Sequence, residues 1–430
     1  MKKYYILFLF FLPIIAYAQQ ALTLRNAVDT ALKNSFDIQI AENNFLIAKN
    51  NNSFGVAGGL PVVSASANDN GSVTNIYQKY SSGSVLDINN INENSLNTGI
   101  SASMTLFNGF KITATKERLS LLQKQNEYVL NQQIQTAIGS VMIKYYDILR
   151  QQSYLKILQQ LLDVSNKKFD IVTAKNDVGM ANGADMLQAQ MDVNTASENL
   201  KVQQLVVEQA KADLLLLMSA KSFNSYTIAD SIIVDSTLVL DSIVNSLNRN
   251  PQYMSALQQE QISQQIVKEV SSQRYPSVKL STSYNFAQSD YSAGLTLMNQ
   301  VFGPSAGLSL QIPIYYGGAY KAQREAAILE VNNSKLQKES LINTLKTTAF
   351  KTYQSYYSNL DQLKEQKKNY VMAKKLMDLV LQNFQVNQAT ILEVKAAQTS
   401  YETAGYLLTN IQYAAKVAEI QLLSLMYKLK

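Results

Sequence analysis

The 430-residue chain contains no cysteine, no histidine and no tryptophan, and only six prolines. Without cysteine there is no disulfide, no thiolate nucleophile or ligand, and no residue after the leader to carry a lipid. Without histidine the commonest metal ligand and the usual general base are gone. No clustered nucleophile, phosphate-binding loop or metal-ligand set appears elsewhere, so the sequence offers no catalytic residue, no cofactor site and no metal site. Charged residues make up 16% of the chain, against roughly 25% in soluble domains; Gln, Asn and Ser take their place. The net charge of +6 is mild and forms no basic cluster, which argues against nucleic acid as a partner. Past the first residues no stretch approaches the roughly 20 apolar residues of a transmembrane helix.

Those first residues read as a secretory leader. Lys2 and Lys3 supply the charged region, Tyr4 to Ile15 the apolar one, and Ala16-Tyr17-Ala18 the small-residue cleavage site. Residues 1–18 are therefore expected to be removed, leaving a mature chain from about Gln19. The alternative is an uncleaved anchor, but the run is too short to span as a helix.

What is present is a duplication. Shifted by 208 positions, residues 99–218 align on 307–426 without a gap, and 27 of the 120 pairs are identical, among them Gly109/Gly317, Tyr145/Tyr353, Ala189-Gln190/Ala397-Gln398 and Leu217-Met218/Leu425-Met426. A repeat of this kind sets the architecture before any element is assigned. It divides the mature chain into a first repeat (19–219), a linker (220–240) and a second repeat (241–430).

Each repeat opens with helical spacing, at Leu22–Asn50 and Ser242–Ser272. Strands are expected at about 60–68 and 98–107, then at about 276–286 and 306–316, from two-residue alternation such as Ile100, Ala102, Met104 and Leu106 against Ser101, Ser103 and Thr105. Between the members of each pair, Asn68–Ser95 and Ala287–Pro304 have loop composition. Pro313 is at odds with a strand, because it cannot donate to a ladder; it is expected near the strand end. Long helices are expected at about 109–176 and 319–386, each on the order of 100 Å at 1.5 Å per residue. Return helices follow at about 184–218 and 390–427.

Four strands of membrane-spanning length are too few to close a barrel, and open edges are not tolerated in lipid. Several chains are needed, and three would supply twelve strands. The long helices likewise need partners for their apolar stripes. The small polar face of the strands suits a water-filled interior, although a solvated surface is an equally common reason for such residues.

With this order of elements the chain resembles the TolC family of outer-membrane efflux proteins over nearly its whole mature length. The resemblance is carried by the strand-to-helix junctions Leu106-Phe107-Asn108-Gly109 and Pro313-Ile314-Tyr315-Tyr316-Gly317-Gly318, by Val178-Gly179-Met180 with Asp185-Met186-Leu187-Gln188-Ala189-Gln190, and by Val386-Asn387-Gln388 with Glu393-Val394-Lys395-Ala396-Ala397-Gln398. It implies a mixed, mainly α protomer with four membrane β-strands, closing as a homotrimer with a twelve-stranded β-barrel in the outer membrane and a twelve-helix α-barrel in the periplasm. It further implies an exit duct for efflux or type I secretion, working with a periplasmic adaptor and an inner-membrane pump of RND or ABC type. Val178, Gly179, Met180, Val386, Asn387 and Gln388 match the adaptor-docking tips, with Asn387 in place of the family's glycine.

Asp185 and Glu393 fall where the family places tip carboxylates that gate the entrance; an acid in a first helical turn is also stabilised by the helix dipole with no further role. The second gate acid of the family is Ala396 here, its basic clasp residue is Ala389, and Lys395 adds positive charge nearby. Phe107, Phe110, Tyr315, Tyr316 and Tyr320 stand where strands meet helices, suited to an aromatic girdle at the lipid interface or to packing of the junction. The Ala-Gln-x-x-x-x-Thr-Ala repeat reads as close helix packing. The competing function is a periplasmic coiled-coil scaffold or surface adhesin, against which the four alternating strands argue.

Overall fold

The computed structural model describes residues 20–220 and 226–429. The leader expected at 1–18 lies outside the described residues. In order, the elements are β1 (Gln20–Ala21), α1 (Leu24–Asn34), α2 (Phe36–Asn51), β2 (Val62–Lys79), β3 (Val85–Asn108), α3 (Lys111–Asp177), α4 (Gly183–Leu217), β4 (Tyr226–Thr227), α5 (Leu240–Ser246), α6 (Pro251–Ser271), β5 (Ser277–Tyr291), β6 (Met298–Gln311), α7 (Ala319–Gln385) and α8 (Ile391–Leu425). The described residues form two compact units, one lying within 1–40, 132–250 and 344–430 and the other being 41–131 and 251–343. The long helices α3 and α7 contribute to both.

The second unit holds a four-stranded antiparallel sheet in the order β2-β3-β5-β6. In the same unit, α6 is tied to α3 by Arg118–Glu269 at 2.6 Å and to α7 by Lys338–Glu260 at 2.5 Å and Ser263–Ser334 at 2.8 Å. The bend from β3 into α3 needs a glycine. Gly109 has φ +64°, and a Cβ there would lie 2.6 Å from the Ser272 carbonyl oxygen and 2.7 Å from Tyr275 Cβ. Its counterpart Gly317 also has positive φ, +57°, but faces open space.

The strands correct two expectations. Asn68–Ser95 and Ala287–Pro304 are largely strand, with turns confined to 80–84 and 292–297. Their apolar residues, among them Val73, Ile76, Leu86 and Ile91, are scattered between Asn, Ser and Asp without a strict two-residue period, so the alternation that marks a strand in sequence is missing, yet cross-strand pairing such as Asn70↔Ser95 and Gln288↔Gln300 satisfies the backbone all the same. The last strand ends at Gln311 rather than near 316, leaving Pro313 outside the ladder, where its missing N–H costs no ladder bond.

The first unit packs α1, α3, α4, α8 and the linker around Val28, Val141, Tyr145, Ile148, Leu214 and Ile420. The linker is held by polar contacts: the Tyr145 hydroxyl donates to Leu22 O and to the Asp230 carboxylate, the Tyr356 hydroxyl to Asp235 O, and Gln412 Nε2 to Ile232 O at 2.7 Å. Burial, reinforced by the Asp230 carboxylate, drives the Tyr145 phenol far above its ordinary pKa; this tyrosine is a neutral donor at any physiological pH.

Candidate functional site

The sheet registers its residues in rows. Ser64, Ser101, Ser283 and Ser305 stand side by side across all four strands, with Ser64 Oγ 3.0 Å from Ser101 Oγ and Ser283 Oγ 2.8 Å from Ser305 Oγ. The adjacent row is Ala65, Ile100, Tyr284 and Pro304; the next pair is Ser66, Gly99, Asn285 and Gly303, then Ala67, Thr98, Phe286 and Phe302. Because successive side chains alternate, one face of the sheet is apolar and the other is built of Ser, Gly and Asn. The apolar band runs Val278–Phe286 on β5 and Phe302–Leu310 on β6, the length a tilted strand of about 9–11 residues needs to cross a bilayer. Beyond it, Asp69, Asn94, Asp290 and Gln300 occupy the formerly apolar face. The outer edges of β2 and β6 carry no partner strand among the described residues.

The junction aromatics meet in pairs. Phe107 and Phe110 are edge-on at 5.4 Å between centroids, and Tyr316 stacks on Tyr320 at 5.1 Å. Phe110, Tyr315 and Tyr316 are exposed, Tyr315 at 84%.

At the far ends of the long helices are two turns of matching geometry. In the first, Met180 N donates to Lys175 O at 2.7 Å and Gly179 N to Asn176 O at 3.0 Å, with Gly179 at φ +74°. In the second, Gln388 N donates to Asn383 O at 2.8 Å and Asn387 N to Phe384 O at 3.3 Å, with Asn387 at φ +62°. Both are Schellman caps, which require a left-handed residue after the helix; glycine fills it best and asparagine next. Asn387 thus preserves the turn that its departure from the family's glycine puts in question. Val178, Met180 and Val386 are exposed at 68%, 63% and 62%. Just inside the turns one apolar cluster of Val172, Ala189, Phe384 and Val394 joins the two helical hairpins, and Lys175 Nζ caps Phe384 O at 2.6 Å.

The two candidate gate acids each stand in the first turn of a helix. The Asp185 N–H is capped by the Asn182 side chain at 2.8 Å. Glu393 closes a capping box: its carboxylate accepts from Thr390 N at 2.6 Å while Thr390 Oγ1 accepts from Glu393 N at 3.3 Å. The Thr390 N–H, followed by its hydroxyl, holds the Glu393 carboxyl below its usual pKa, so it is ionised at neutral pH.

A cluster the sequence reading did not single out lies one to two turns further in. Lys168 on α3 is fully buried and donates to the Asp192 carboxylate of α4 and to Gln398 Oε1 of α8 at 3.3 Å. Asp192 also accepts from Gln188 Nε2 at 3.0 Å and pairs with Lys395 of α8 at 2.8 Å. Gln398 Nε2 donates to Ser165 Oγ at 3.0 Å. Burial raises the Asp192 pKa, but the hydrogen bonds from Lys168 and Lys395 outweigh it and hold the group below its ordinary value. The repeat carried a signal: the position paired with Lys168 in the second copy is Leu376, so a lysine stands on an apolar stripe and requires a carboxylate. The Ala-Gln repeat is part of this packing, with Ala189, Ala397 and Gln398 all buried.

A sheet with one lipid-suited face and one hydrophilic face, joined to paired helical hairpins, defines the subunit of an outer-membrane channel. The sequence pattern of the outer membrane efflux protein family matches residues 27–220 and 242–426, and the chain belongs to that family. The outer membrane protein TolC of Salmonella enteritidis is 21% identical over 349 residues, covering 78% of this chain and 70% of TolC. The CmeC outer membrane channel of Campylobacter jejuni superposes with a TM-score of 0.80 at 15% identity over 97% of this chain and 91% of CmeC; CusC does so at 0.77 and 18%, over 95% and 92%. The protein is therefore an outer-membrane efflux channel component that extends into the periplasm, in a family of channel proteins. The scaffold or adhesin alternative is not favoured.

Proposed function

We propose that three copies of the chain close their sheets into a twelve-stranded barrel, β6 of one copy against β2 of the next, and their long helices into a twelve-helix periplasmic tunnel. The result is a passive exit duct with no chemistry of its own. Members of the family form trimers and work with adaptors and inner-membrane pumps, and this chain does the same: Val178, Gly179, Met180, Val386, Asn387 and Gln388 dock a periplasmic adaptor, which couples the duct to a pump of RND or ABC type. The junction aromatics sit at the inner lipid interface, and Glu393 with Asp185 lines the entrance. The carrying observation is the sheet itself, with an apolar band of bilayer-crossing length on one face and, among the described residues, no partner strand along either edge. Each unpaired backbone group left in hydrocarbon costs several kcal/mol, and closure with further copies removes the edges.

Native mass spectrometry of the detergent-purified protein, with planar-bilayer recording on the same preparation, tests this reading: a trimer that conducts ions is expected, and a non-conducting monomer would overturn it. For the docking tips, Val178→Asp together with Met180→Asp is expected to leave the trimer intact while abolishing adaptor capture and efflux.

A further inference from the structure

The hydrophilic face of the sheet is almost without charge. Opposite the apolar band it presents Ser, Gly, Asn and Thr, with Val62 at the start of β2, and among the described residues a single ionic side chain, Lys279 on β5. Lys279 is exposed, lies directly across from Thr105 on β3 and Ser309 on β6, and shares its face with Ser281 and Ser283 along its own strand. Its place is fixed by register: the row above, Met104, Leu280 and Leu308, is apolar, so a one-residue alternation puts Lys279 on the serine face. The nearest acid on that face is Glu93, which pairs with Tyr291 past the end of the apolar band; Asp69 and Asp290 stand on the opposite face. A positive group set in an uncharged wall, without a neighbouring carboxylate to neutralise it, biases the ions that pass it.

We propose that Lys279 is a specificity-determining residue of the duct, forming one ring of lysines at the helix-side end of the barrel that favours anionic, carboxylate- or phosphate-bearing solutes. This rests on the trimeric duct reading above, since the ring exists only when three sheets close with their serine faces inward. The field of such a ring reaches about 10 Å into the lumen at 0.1 M salt and about 3 Å at 1 M. Its influence is therefore a low-salt property.

The test is the reversal potential of single channels in a planar bilayer under a potassium chloride gradient, with the dilute side near 0.1 M. Lys279→Glu is expected to lower the chloride-to-potassium permeability ratio by about twofold or more at low salt, with the difference fading at high salt. Lys279→Gln should fall between, and Lys279→Arg should match the unaltered protein. If Lys279→Glu does not insert, the Gln and Arg variants carry the comparison. Channels that conduct with the same reversal potential in every variant overturn the proposal while leaving the duct reading intact; unaltered protein that forms no conducting channel overturns the duct reading itself.

Discussion

Lys395 Nζ lies 2.8 Å from Asp192 Oδ1, an ion pair between α8 of the second repeat and α4 of the first. The same carboxylate receives the fully buried ammonium of Lys168 from α3, so one acid holds three helices. Asp192→Asn strands a buried charge, which typically costs about 3–5 kcal/mol, whereas replacing a buried pair by apolar groups is often neutral. The expected outcome is a marked loss of thermal stability for Asp192→Asn and recovery of most of it in Lys168→Leu with Asp192→Ser. Those substitutes are what the second repeat carries at the equivalent positions, Leu376 and Ser400. Thermal unfolding followed by circular dichroism measures both.

Acid should loosen the same point. The folded Asp192 pKa is held below its ordinary value of 3.8, so the carboxylate contributes stability that is full above about pH 4 and is lost as pH falls through the folded value. Protease accessibility of the helical hairpin tips is expected to rise below that range. In Lys168→Leu with Asp192→Ser this acid-dependent rise should shrink; an unchanged profile would assign it to other carboxylates.

The second tip turn pays for asparagine in a left-handed conformation. Asn387→Gly is expected to stabilise α7's end by a few tenths of a kcal/mol to about 1 kcal/mol, and Gly179→Ala to destabilise the first turn by about 1 kcal/mol. Nothing lies within 4 Å of a Cβ at Gly179, so the loss would be conformational and not steric. Hydrogen exchange at Met180 and Gln388, whose N–H groups close the two caps, reads both changes locally.

Gly109 and Gly317 separate strain from collision. Both have positive φ, but only Gly109 abuts backbone, the Ser272 carbonyl. Gly317→Ala should cost about 1 kcal/mol and fold, whereas Gly109→Ala should cost several times as much and reduce the yield of assembled protein in the outer membrane. Equal yields of the two variants would contradict the close approach at the β3–α3 bend.

The repeat, the order of elements and the long helices were legible because each rests on a local rule: apolar residues recurring at three, four and seven positions, and breaks such as Asp177–Gly183 between helices. The alternation of Ile100, Ala102 and Met104 with Ser101 and Ser103 likewise showed two unlike faces before any strand was paired. Other features were decided only by tertiary structure. The halves of β2 and β3 next to their connecting turn have no regular apolar-polar alternation, with Val73, Ile76, Leu86 and Ile91 scattered among Asn, Ser and Asp, and become strand because a partner strand takes up their backbone groups. The union of Lys168, Asp192 and Lys395 joins residues up to 227 positions apart, a distance no local pattern spans. Lys279 reads in sequence as one more exposed lysine; only cross-strand register sets it alone among serines.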